Sequence, residues 1–168
     1  MEITGSGIIA YDVGVGKTIT AIIELASAIQ NGKCKRPLIV VPKSTYPNWL
    51  KEISGEGEGC EGILSGVGIK VNDWGNLSKV SEADLANVPE NSITVITYQG
   101  FEKIGFNTKT EKELLTELAT ILHDGGKEQN SRTASAEIQK YFEMLGIGNK
   151  NTICDIEKCG FDYITIDE

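Results

Sequence analysis

The stretch Gly7-Ile8-Ile9-Ala10-Tyr11-Asp12-Val13-Gly14-Val15-Gly16-Lys17-Thr18 runs directly into Ile19-Thr20-Ala21-Ile22-Ile23-Glu24-Leu25-Ala26-Ser27-Ala28-Ile29. A short apolar strand, two closely spaced glycines and an amphipathic helix follow one another in the order that a phosphate-binding loop requires. Ile19, Ile22, Ile23, Ala26 and Ile29 are expected on one helix face. Asn31-Gly32 supplies a left-handed stop, and Lys33, Lys35 and Arg36 fall where cations favour the negative end of the helix dipole. Gly14 and Gly16 let the backbone of Asp12 to Gly16, with Val13 and Val15, approach an anion and turn its amides inward. Lys17 then reaches the β and γ phosphates of ATP, and Thr18 offers a hydroxyl to Mg²⁺. Tyr11 stands where the strict GxxxxGK[ST] pattern has its first glycine.

A second anchor is Phe161-Asp162-Tyr163-Ile164-Thr165-Ile166-Asp167-Glu168, apolar and β-branched residues leading into two carboxylates. A strand of this kind delivers acids to the carboxyl edge of a parallel sheet, next to bound phosphates. By itself it reads more readily as a strand ending in two solvated acids. Beside the phosphate loop it reads as Walker B, with Asp167 holding Mg²⁺ and Glu168 orienting the attacking water. Between the anchors, Arg36 to Pro42 and Ser92 to Tyr98 have the composition of strands buried on both faces. Ser44 or Thr45 can cap a helix after the first of them, Pro47 fits its opening turn, and Trp49, Leu50 and Ile53 share its inner face. Strands alternating with helices predict an α/β domain with a doubly wound, mostly parallel sheet.

The order of these motifs resembles the Swi/Snf-like branch of superfamily-two helicases. IAYDVGVGKT at 9–18 resembles motif I, LIVVPKSTYPNW at 38–49 motif Ia with its helix, ITVITY at 93–98 motif Ib, and YITIDE at 163–168 the start of motif II. The resemblance implies a RecA-like P-loop NTPase fold, ATP and Mg²⁺ as cofactors, and double-stranded DNA as the partner of a complete two-lobe protein. It places phosphate and metal binding on Lys17 and Thr18, and metal and water on Asp167 and Glu168. Lys43, Ser44, Thr45 and Tyr98 fall where the family contacts a DNA backbone, although the first three could simply cap a helix and Tyr98 could close a strand end. Such motors hydrolyse ATP between two lobes, and the second, absent here, supplies an arginine finger. Arg36 and Arg132 are the arginines of this chain, and neither sits in a motif of that kind. The isolated chain is therefore expected to be inactive.

With 168 residues the chain suits one domain, with a helical insertion at about 105–155. Residues 56–68 read as a glycine-rich flexible connection, and 111–122 and 134–145 as amphipathic helices of the insertion. A net charge of -8 argues against a broadly basic nucleic-acid face without excluding a small DNA contact patch. No apolar run is long enough for a membrane span and no signal-peptide pattern opens the chain, so a cytoplasmic protein is expected. Cys34, Cys60, Cys154 and Cys159 lack metal-site spacing and read as reduced thiols. Two other readings stay open: a noncatalytic nucleotide-binding module, and the ATPase lobe of a restriction or repair subunit.

Overall fold

The computed structural model of the protein describes residues 7–10, 12, 14–57, 59–105, 113 and 153–167. Its frame is a parallel sheet in the order β4-β5-β1-β8. β1 (Pro37–Val41) pairs with β5 (Ser92–Thr97) on one side and with β8 (Tyr163–Ile166) on the other, and β4 (Lys70–Trp74) lies outside β5. The register sets Leu38 opposite Thr94 and Ile164, and Val40 opposite Ile96 and Ile166.

Helices cover both faces. On one face α1 (Lys17–Gln30) and α2 (Tyr46–Ser54) pack Ile22, Leu25, Trp49 and Ile53 onto Ile39, Val41, Ile93 and Val95. On the other, Leu85 of α3 (Glu82–Ala86) and Cys159 of α5 (Ile156–Cys159) join Trp74, Leu77 and Val88 over Leu38, Val40 and Ile96. Trp74 meets Phe161 edge to face with ring centroids 5.5 Å apart. The expected α/β class and doubly wound parallel sheet are thus present.

β1 is buried along its whole length, as a continuous apolar run between two helical layers must be. β5 is equally buried although it carries Ser92, Thr94 and Thr97, because each hydroxyl has a partner. Asn72 Nδ2 donates to Ser92 Oγ at 2.9 Å and to Thr94 Oγ1 at 3.1 Å. Thr97 Oγ1 accepts from the Gly100 amide at 3.1 Å and so caps the short helix α4 (Tyr98–Phe101). Asn72 belongs to β4, a strand that sequence reasoning did not find.

Several other expectations change. Residues 7–10 form no strand; Ile9 packs against the first core cluster while Ile8 is exposed. The buried stripe of α1 is Ala21, Ile22, Leu25, Ala26 and Ile29, and Ile19 and Ile23 face outward because they lie on the flank of that stripe. Gly32 does take the left-handed conformation, with φ 68°. Lys35 and Arg36, however, lie beyond the helix and reach Glu90 at 3.3 and 3.2 Å rather than the last carbonyls of α1. Pro47 sits in the first turn of α2, but no side chain caps it: Thr45 Oγ1 donates back to the Pro42 carbonyl at 3.2 Å.

Within 56–68, where a flexible connection was expected, β2 (Gly55–Gly57) and β3 (Cys60–Glu61) pair as an antiparallel hairpin. The tight turn out of α2 needs Gly55 at φ 84°, where a Cβ would collide with the Cys60 carbonyl. Residues 104–105 (β6) pair with 154–155 (β7). The helices expected at 111–122 and 134–145 lie outside the described residues apart from Glu113. Among the described residues, no helix is long and apolar enough to cross a membrane.

Candidate functional site

The connection between α1 and β1 fixes the direction of the helix. Residues 31–36 are a short loop, so the C-terminal end of α1 sits at the amino edge of the sheet and its N-terminal end at the carboxyl edge. The hydroxyl of Tyr163, the first residue of β8, donates to Glu24 in the middle of α1 at 3.4 Å. From that cross-link the helix runs back about 10 Å to Lys17, and the strand runs on about 13 Å to Asp167, both toward the same edge.

At the helix N-terminus the loop glycines have the backbone that an anion cradle uses. Gly14 and Gly16 have φ of 83° and 87°, and a Cβ added at either would meet nothing within 4 Å. Backbone conformation, not crowding, is therefore what demands glycine there, and the space beside the loop is open. Gly16 is the N-cap residue of α1; no side chain caps the helix and its first turn holds no acid. Gly16 has no side chain with which to cap the helix, so the partial positive charge of the helix end is not met by its own N-cap residue. Lys17 Nζ donates to the Asp12 carbonyl at 3.3 Å, and the Val15 amide donates to the same carbonyl at 3.5 Å. Thr18 is half-buried in the first turn, and Thr20 Oγ1 donates to the Gly16 carbonyl at 3.0 Å. Val13 and Glu168, both expected in the site, lie outside the described residues.

Asp167 leaves the opposite wall of this edge and is held from several sides. Its amide donates to the Val40 carbonyl at 2.9 Å, continuing the ladder between β8 and β1 by one residue. Its carbonyl accepts from the Tyr98 hydroxyl at 2.6 Å. Its carboxylate Oδ2 accepts from the Trp49 indole Nε1 at 2.8 Å, with the Thr45 hydroxyl at 3.5 Å. Trp49 is, as the sequence suggests, a core residue, only 3 % exposed. Its indole N–H as an anchor for an acid at position 167 was missed. The helical period puts Trp49 on the inner face of α2 but says nothing about an acid 118 positions later.

The residues expected at a DNA backbone surround the same edge. Lys43, Ser44 and Thr45 form the exposed turn between β1 and α2, and Tyr98 opens α4 directly after β5. Thr45 and Tyr98 thus also touch Asp167, whereas Lys43 and Ser44 face solvent. α2 is itself pinned at its first residue: the buried Tyr46 hydroxyl donates to Asp73 and lies 3.2 Å from the Val95 carbonyl. Burial first, and then the hydrogen bond to Asp73, push the Tyr46 phenol well above its ordinary range.

The domain family described as the SNF2-related domain matches residues 2–58. A mouse protein, "SWI/SNF-related matrix-associated actin-dependent regulator of chromatin subfamily A containing DEAD/H box 1", is 51% identical over 49 residues, which is 29% of this chain and 5% of that protein. "ATP-dependent helicase fft1" of Schizosaccharomyces pombe is 51% identical over 47 residues, covering 28% of this chain and 5% of its own. "Transcriptional regulator ATRX homolog" of Caenorhabditis elegans is 42% identical over 57 residues, 31% of this chain and 4% of its own. The matched stretches thus span about one twentieth of the length of these relatives. No solved structure matches. Residues 2–58 are thus similar to the SNF2-related domain, and the same segment carries the similarity to the named helicase and chromatin-regulator relatives.

Proposed function

We propose that this chain is the ATP-binding lobe of a Swi/Snf-type DNA translocase or helicase. One observation carries the reading: a glycine-led helix N-terminus bearing Lys17 and Thr18 shares a sheet edge with the strand end bearing Asp167. The residues fit a magnesium-bound triphosphate. Backbone amides from Asp12 through Gly16, with Val13 and Val15, cradle the phosphates, and Lys17 exchanges the Asp12 carbonyl for the β and γ oxygens. Thr18 and Asp167 would hold Mg²⁺, and Glu168 would orient the attacking water. ATP supplies the phosphoanhydride whose γ-phosphoryl group is transferred.

Double-stranded DNA is the proposed partner of the two-lobe protein. Lys43 and Ser44, exposed in the turn after β1, meet the strand backbone, with Thr45 and Tyr98 behind them. On its own the chain binds nucleotide without appreciable turnover. Arg36 is occupied at the amino edge, its Nε donating to the Val88 carbonyl at 2.8 Å and its guanidinium meeting Glu90. It cannot serve as the arginine finger such motors need.

Binding of a fluorescent ATP analogue with Mg²⁺ to the full chain tests the reading. Lys17→Ala is expected to weaken binding at least about tenfold, from loss of the charged phosphate contact. Unchanged affinity in that variant, or rapid ATP turnover by the wild-type chain, would overturn it.

A further inference from the structure

We infer that Trp49 and Tyr98 are positioning residues that aim the Asp167 carboxylate, and that through them the DNA-facing turn is mechanically linked to the metal position. The inference rests on the nucleotide-site reading above and assigns that site its regulation.

Three elements converge on one residue: α2 through Trp49, the entrance of α4 through Tyr98, and the turn before α2 through Thr45. Tyr98 and the Val40 carbonyl grip the main chain of Asp167, so the strand end cannot drift along the edge. Trp49 grips a single carboxylate oxygen, Oδ2, which fixes the remaining torsion of the side chain. A buried indole is well suited to this task. It donates one hydrogen bond, accepts none, and is itself immobilised by the core around it. Thr45 stands at the outer limit of hydrogen-bond distance, 3.5 Å from the same oxygen, while its hydroxyl also donates to the Pro42 carbonyl.

Thr45 is therefore the adjustable member of the set. It lies next to Lys43 and Ser44 in the exposed turn, and one residue before the helix that carries Trp49. A strand backbone that draws this turn outward pulls on the hydroxyl and on the first turn of α2 together. The carboxylate is the group that responds, since its direction depends on both. Occupancy at the turn is thereby read as a change in how Asp167 faces its metal.

The test measures the Mg²⁺ concentration that half-saturates the metal-dependent part of fluorescent ATP-analogue binding to the full chain. Trp49→Phe keeps the ring in the core and removes the donor. It is expected to raise that concentration about tenfold, the scale on which outer-shell partners of metal ligands act. Nucleotide affinity measured without metal should stay within about twofold, since the ring is kept and the lost bond is the one to Asp167. A purely structural role would instead shift both measurements together. Tyr98→Phe, which removes only a hydroxyl, guards against misfolding of the first variant and should raise the requirement about threefold. An unchanged Mg²⁺ requirement in both variants, beside normal wild-type binding, sinks the positioning role alone. Failure of the wild-type chain to bind nucleotide sinks the underlying site as well.

Discussion

Two aspartates five positions apart bracket β8, and they are held in opposite ways. At the amino edge both carboxylate oxygens of Asp162 accept backbone amides, from Lys35 at 2.7 Å and from Arg36 at 2.9 Å. At the carboxyl edge Asp167 has its main chain fixed by Val40 and Tyr98 and one carboxylate oxygen aimed by Trp49. The first acid is a staple, closing the loop between α1 and β1 onto the start of β8. The second stands at the carboxyl edge, where the glycine-led N-terminus of α1 also lies. A strand that enters on a carboxylate held through both oxygens and leaves on one held through a single oxygen separates a structural acid from the acid proposed for chemistry.

Substitution of each acid should therefore give mirror-image results. Asp162→Ala removes two charge-assisted bonds to main-chain amides and is expected to lower stability by about 2 kcal/mol in a chemical-denaturant titration. Nucleotide affinity should not change. Asp167→Ala should cost only about 1 kcal/mol, from leaving the indole N–H of the buried Trp49 without its acceptor, yet abolish the Mg²⁺ dependence of nucleotide binding. Equal destabilisation by the two variants would erase the distinction.

A smaller effect sharpens the same contrast from a distance. Gly75 lies against Tyr46, and a Cβ there would sit 2.5 Å from the ring carbon Cε1. Gly75→Ala must push aside a ring whose hydroxyl is tied to Asp73 and Val95, at a cost of about 1–2 kcal/mol in stability. Because Tyr46 starts the helix that carries Trp49, the displacement should also raise the Mg²⁺ requirement. Thermal melts and metal titrations on that variant should move together, with Asp162 and its two amides unaffected.

The two edges were not equally legible in the sequence. The apolar runs of β1 and β5, the helix after Lys17 and the glycines at 14 and 16 are local signals, and the structure has all of them, although Ile19 and Ile23 fall outside the buried face of the helix. The strand expected at 7–10 was misjudged because four residues of strand composition become a strand only when a neighbour pairs with them. β4 was missed for a related reason: KVNDW alternates poorly, and its place in the sheet comes from pairing with β5 and from Asn72 binding two of its hydroxyls. The grip of Trp49 on Asp167 and the staple at Asp162 join positions more than a hundred residues apart. Periodicity cannot register such contacts, since it reads one helix or strand at a time. The motif order was legible because a phosphate-loop signature is concentrated in a short segment, whereas the hydrogen bonds that hold Asp167 come from three elements.

The last contrast between the edges is electrostatic and smallest in size. Cys34 is buried next to the staple, and burial first, then the Asp162 carboxylate, push its thiol up to about 11 from 9.0. A thiol whose folded pKa is raised contributes stability that is whole below the unfolded value and is lost as pH climbs toward the folded one. Stability should accordingly fall between about pH 9 and 11, with the Cys34 thiol as one source. Alkylation makes the effect visible residue by residue. Near pH 8.5 the exposed Cys60 should react with iodoacetamide many times faster than Cys34, which stays protonated and covered. In Asp162→Asn the nearby negative charge is gone while the side-chain shape is kept, so Cys34 should react only modestly faster, by about two- to threefold. A rate for Cys34 that matches Cys60, or that rises far more than this in Asp162→Asn, would mean that the staple is opening. The amino edge would then be a moving part like its counterpart.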